Sequence, residues 1–144
     1  MYRSIMSDAQ DVIRNASLFA RLSKRDVKQL ASALHETKFA PGTVIMERGK
    51  PGVGFFLIAD GSATVSADGK TIEVLKAGDH FGEVALIDEG PRTAEVTADS
   101  ELTCYTLAAW QFRPFVRDHP DVAWALLQSL VQRLVRSPGG REQI

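Results

Sequence analysis

Gly82, Glu83 and Arg92, in residues 81–96 (FGEVALIDEGPRTAEV), have the types and spacing of a holder for a small anion. Arg92 offers a planar fork of donors that matches two oxygens of a phosphate, and a charge-assisted contact of this kind contributes roughly 1.5–3 kcal/mol. Residues 82–85 read Gly-x-x-Ala, and their small side chains let a ligand come close to the backbone amides at the start of a short helix. Glu83 does not suit a bare phosphate, which it would repel. Its sensible partner is a neighbouring hydroxyl, such as a ribose 2′-OH, or a basic residue. The ligand implied carries a phosphate at one end and a hydroxyl beside it.

The elements that must carry this stretch fit one domain. The chain has 144 residues, enough for a single core. Seventeen basic and eighteen acidic residues give a net charge of -1, so no broad positive field exists to hold a nucleic-acid backbone. Arg133, Arg136 and Arg141 near the end are too few to change that. Cys104, the one cysteine, sits in ELTCYTL and reads as a small apolar strand residue. No apolar run approaches the roughly 18 residues needed to span a bilayer, and the first residues lack the apolar core of a secretion signal. The expected setting is the cytoplasm, with no membrane partner.

The domain divides into N-terminal helices (1–36), a β-barrel (37–107), C-terminal helices (108–136) and a tail (137–144). Ser7 with Gln10, and more clearly Ser23 with Asp26, fit capping boxes, and Leu22 and Val27 fit a hydrophobic staple around the second. Val27, Leu30, Ala31 and Leu34 recur at helical spacing, and the helix is expected to stop before Pro41. After residue 107, Trp110, Phe112, Phe115 and Val116 form a bulky patch, with Pro114 expected to delay or disturb the helix that carries them. Pro120 suits the first position of a longer helix reaching about Arg136.

Between these helices, Asp60-Gly61 and Asp68-Gly69 each separate apolar alternating runs, as two-residue hairpin turns do. A turn at Asp68-Gly69 sets Ala67 opposite Lys70, Val65 opposite Ile72 and Ala63 opposite Val74. A turn at Asp60-Gly61 sets Ile58 opposite Ala63 and Phe56 opposite Val65. The resulting three-stranded meander has one apolar face. Thr64, Ser66, Thr71 and Glu73 lie on its wet side, which is dry only near Phe55 and Leu57. Further strands at residues 43–46, 94–98 and 101–107 close it into a mainly β fold, an eight-stranded antiparallel β-roll or jelly-roll-like barrel flanked by helices.

Residues 81–96 are similar to the phosphate-binding cassette of the cyclic-nucleotide-binding domain family, which includes regulatory subunits of cAMP-dependent kinase and catabolite activator proteins. Phe-Gly-Glu, Ala-Leu and Pro-Arg-Thr-Ala stand at the cassette's spacing, and the likeness extends upstream through FAPGTVIMERGKPGVGFFLIADGSATV. Val53 departs from it, where the family often has an acidic or polar residue. The resemblance implies a regulatory sensor module that binds cAMP or cGMP. It implies that Arg92 pairs with the cyclic phosphate and that the amides of Ala85 and Thr93 reach its oxygens. Glu83 would then accept from the ribose 2′-OH, helped by the amide of Gly82. Thr93 can also bond the phosphate or a guanine amine. The last helix would carry a lid over the base, with Leu127, Leu130, Val131 and Leu134 as candidates. It implies too a regulated effector domain or partner protein outside this chain.

Other readings are blander. His35, His80 and His119 form no metal-ligand cluster in sequence, so no metal, cofactor or catalytic role is expected; His80, beside Phe81, is the one histidine near the site's mouth. Gly42, Gly61, Gly69 and Gly78 read as turn residues. The alternative function is an interaction module that keeps the fold without binding nucleotide, docking or forming a homodimer through the long C-terminal helix.

Overall fold

The computed structural model describes residues 5–51, 53–88 and 94–136. Arg92, Thr93 and the tail therefore lie outside the described residues. Helix α1 (Ile5–Asn15) is followed by a 3₁₀ turn (Ser17–Phe19) and α2 (Lys24–Ala33). Ser7 lies inside α1 rather than at its cap. The second cap forms as expected: the Ser23 hydroxyl accepts from the Asp26 amide at 3.1 Å. Val27, Leu30 and Ala31 are buried, with Leu22 packed alongside. The helix ends at Ala33, earlier than expected, because the chain turns extended at Leu34 and enters strand β1 (His35–Phe39).

Seven more strands follow: β2 (Val44–Met46), β3 (Gly54–Asp60), β4 (Ser62–Ala67), β5 (Lys70–Lys76), β6 (His80–Phe81), β7 (Glu95–Ala98) and β8 (Leu102–Ala108). Helix α3 (Glu83–Asp88) lies between β6 and β7, and α4 (Ala109–Asp118) and α5 (Pro120–Arg136) end the described chain. The strands form two four-stranded antiparallel sheets, ordered β1-β8-β3-β6 and β2-β7-β4-β5, that face each other as a roll. One core lies between the sheets, around Phe56, Ile58, Leu75, Phe81, Leu102 and Cys104. There burial pushes the Cys104 thiol up to about 12. A second core lies between the first sheet and the helices, around Ile13, Phe19, Leu30, Phe55, Leu57, Phe112 and Leu126. Strand β3 is thus buried on both faces, which is why Phe55 and Leu57 are dry.

The structure corrects both hairpin registers. Asp68 and Gly69 both have positive φ, 53° and 76°, and close the expected two-residue turn with Ala67 opposite Lys70. Past Ser66–Thr71 the register slips: Val65 faces Glu73 and Ala63 faces Leu75, leaving Ile72 as the extra residue of a bulge. The slip exchanges the faces of β5. Ile72 and Val74, expected inside, are more than half exposed, and Leu75 is buried instead. Asp60-Gly61 closes no hairpin, since β3 pairs with β8 and β6 while β4 pairs with β5 and β7. Gly61, at φ 94°, carries the chain from one sheet to the other; a Cβ there would stand 2.4 Å from the Glu101 carbonyl oxygen.

Helix α4 starts directly after β8, with the Gln111 side chain accepting from the Ala108 amide at 3.1 Å, and runs through Pro114. Of the bulky patch, Phe112 is buried and Phe115 and Val116 pack partly against the core, but Trp110 faces solvent. Pro120 opens α5 as expected.

Candidate functional site

The site begins on β6. His80 pairs with Leu57 and Phe81 with Phe56, so alternation sends the two side chains to opposite faces. Phe81 stacks on Phe56 inside the roll, at 4.8 Å between ring centroids. His80 turns toward the helices, buried and stacked on Phe55 at 5.5 Å. Gly82 then reverses the chain at φ 100°, where a Cβ would stand 2.3 Å from the Gly54 carbonyl oxygen. The glycine expected to admit a ligand is required first by this contact between the turn and β3.

Glu83 opens α3 and is 0% exposed. Its Oε1 accepts from Arg133 Nη1 at 2.7 Å, while Arg133 Nη2 donates to the His80 carbonyl oxygen at 2.9 Å. The same guanidinium lies near a second carboxylate, with Nε 3.6 Å from Glu73 Oε2. The second oxygen of Glu83 is different. Oε2 lies 3.3 Å from His80 Nδ1 but out of line with it, and both atoms are buried without a hydrogen-bond partner among the described residues. On the far side of the ring, Ser129 Oγ stands 3.5 Å from His80 Nε2. Burial raises the pKa of Glu83, and the nearby His80 ring together with the Arg133 guanidinium more than offsets this, leaving it below the ordinary carboxylate value.

Of the expected site residues, Gly82, Glu83 and Ala85 are brought together at the junction of β6 and α3, with Ala85 buried. The lid candidates are not. Leu127 and Val131 are more than half exposed, Leu134 is exposed and Leu130 half-buried. The inward face of α5 runs through Val122, Leu126, Ser129 and Arg133, at helical spacings of four, three and four. It ends polar because it meets a buried carboxylate and imidazole there. Sequence reasoning missed Arg133 and Glu73. A basic residue continuing the inward stripe of Val122 and Leu126 was the available signal for Arg133. Nothing short of the β5 bulge could have announced Glu73.

Arg133 therefore fastens the end of α5 to the site by two charge-assisted or polar bonds worth about 1–2 kcal/mol together, allowing for partial exposure. Replacing it with methionine should speed amide exchange over residues 129–136 by about five- to thirtyfold in hydrogen–deuterium exchange.

The cyclic nucleotide-binding domain family matches residues 36–119, more than half of the chain. The chain belongs to that family. Within it, the chain is 33% identical over 104 residues to a cAMP-dependent protein kinase regulatory subunit of Hypocrea atroviridis, covering 72% of this chain and 22% of that protein. The chain spans about a quarter of the length of such kinase subunits. Among solved structures, cAMP-bound PfPKA-R superposes with a TM-score of 0.80 at 25% identity, covering 89% of this chain and 44% of that one. The N-terminal domain of a transcriptional regulator from Streptomyces coelicolor superposes at 0.69 with 29% identity, covering 88% of this chain and 92% of that one. These relatives are regulatory proteins of two kinds, kinase regulatory subunits and a transcriptional regulator.

Proposed function

We propose that this domain binds a cyclic nucleotide, cAMP or cGMP, as a regulatory sensor and passes occupancy to α5. The observation that carries the reading is Glu83: a wholly buried carboxylate, held toward its ionised form, with one oxygen partnered by α5 and the other unpartnered among the described residues. A buried unpaired acceptor costs about 1–3 kcal/mol, and a donating ribose 2′-hydroxyl removes that cost. In this reading Arg92 holds the cyclic phosphate, the amides of Ala85 and Thr93 reach its oxygens, and the Gly82 amide assists at the sugar. Because Glu83 is bonded to Arg133, a ligand that engages Glu83 changes what holds α5, which supplies the differential affinity a switch requires.

The listener is an effector domain or partner protein outside this chain, as the regulatory relatives suggest. A second copy is the candidate partner for the outer face of α5, where Trp124, Leu127 and Val131 stand exposed at spacings of three and four. Isothermal titration calorimetry with cAMP and cGMP tests the binding reading. Heat and a rise in melting temperature are expected, and Arg92→Ala should weaken binding at least tenfold. No heat and no melting shift at millimolar ligand would leave the interaction module as the better account.

A further inference from the structure

His80 Nδ1 and Glu83 Oε2 are two buried polar atoms, 3.3 Å apart, each without a hydrogen-bond partner among the described residues. They differ in kind. The Oε2 of an ionised carboxylate can only accept. Whatever the charge of the ring, a proton sits on the nitrogen that faces the stronger acceptor, here Nδ1 beside the carboxylate, while Nε2 on the other side faces the Ser129 hydroxyl, which can donate or accept. The site therefore presents one donor and one acceptor side by side. A hydroxyl group satisfies both at once, donating its proton to Oε2 and accepting Nδ1–H on its lone pair.

We propose that His80 is a second reader of the sugar's 2′-hydroxyl, acting with Glu83 to select ribo- over 2′-deoxyribo-cyclic nucleotides. This rests on the nucleotide-binding reading above and deepens it. A ligand lacking the hydroxyl leaves both atoms buried and unpaired, and a site built around a hydroxyl rejects analogues without it far more strongly than it rejects a change in apolar bulk. His80 is well placed for the task because its ring cannot swing away: it stacks on Phe55, and its backbone carbonyl is held by Arg133. Ser129 and Arg133, both on α5, border the His80–Glu83 pair, so the helix that reports occupancy also sets the imidazole's orientation.

The test compares the tighter-binding of cAMP and cGMP with its 2′-deoxy analogue by calorimetry, in the full chain and two variants. The wild type should prefer the ribonucleotide by about 100-fold or more. Asparagine at this position keeps an N–H where Nδ1 stands, whereas glutamine places its polar group where Nε2 stands. His80→Asn should keep the preference within about threefold, and His80→Gln should cut it about tenfold by losing affinity for the ribonucleotide alone. Equal losses for both ligands, or an unchanged preference in His80→Gln, would overturn the proposal and leave the binding reading intact. No binding of either ligand by the wild type would overturn both. Should the variants fold poorly, nitrogen-15 NMR of the wild-type imidazole decides: the Nδ1–H resonance should move with the ribonucleotide and stay near its free position with the 2′-deoxy form. Equal movement with both ligands would count against His80.

Discussion

Gly82→Ala should destabilise the domain by about 2–5 kcal/mol and lower its melting temperature by roughly 6–15 °C. Two costs add. An L-residue at the positive φ of 100° loses about 1–2 kcal/mol, and the new methyl would lie 2.3 Å from the Gly54 carbonyl oxygen. That oxygen cannot easily give way, because β3 is paired on both edges and packed on both faces. Overpacking of a tight site costs a further 1–3 kcal/mol or so. Gly69→Ala is the natural control: it too has positive φ, but among the described residues nothing lies within 4 Å of its Cβ position, so only the backbone term of about 1–2 kcal/mol applies. Thermal melts followed by circular dichroism compare the two. A loss for Gly82→Ala no larger than that for Gly69→Ala would mean that the turn can retreat from β3.

The second large effect is expected at Glu83. Glutamine keeps its shape and removes its charge. Held as glutamic acid's amide, the side chain can still accept from Arg133, but its NH₂ replaces an acceptor with a donor facing the His80 ring, and the charge-assisted character of the Arg133 bond is gone. Nucleotide affinity should fall about 100-fold, near the upper end of what a charged hydrogen bond contributes. The variant also tests the electrostatics. Glu83 has its folded-state pKa lowered, so its ionisation stabilises the fold fully above the unfolded carboxylate value. That contribution is lost as pH falls through the lower, folded value. The stability gap between wild type and Glu83→Gln in urea titrations should therefore be present at pH 7 and shrink progressively below about pH 4.3. A gap that stayed constant down to pH 3 would show that the carboxylate's charge is not what matters.

Much of the site lay open to reading in residues 81–96, because the chemistry there is compact in sequence. A glycine that must reverse the chain, a glutamate directly after it and a small residue two further on are neighbours along the backbone, and local turn geometry places them. The clear cap at Ser23 and the positive-φ turn at Asp68-Gly69 were legible for the same reason. The Asp60-Gly61 hairpin was not. A two-residue signal reports the turn's twist but not which strand the next segment will pair with, and β4 found β7 rather than β3 because Gly61 packs against the 99–101 loop. Which face of α5 packs inward was hidden for a related reason. Leu127 and Val131, on the apolar stripe of α5, are exposed, and the inward face carries Ser129 and Arg133. Apolarity predicts burial only when the surface opposite is apolar, and here it holds a buried carboxylate.

By itself the sequence determined the class of fold, the cassette that gives the family away, and Glu83 as a carboxylate that calls for a hydroxyl or a basic partner; these rest on residue type and short spacing. Tertiary structure decided which partner that carboxylate meets. Arg133 reaches Glu83 across 50 residues of chain, and Glu73 approaches the same guanidinium because an extra residue at Ile72 turns it off the wet face. Both outcomes depend on strand register and helix docking, which are settled by packing the whole chain at once, so no local pattern encodes them.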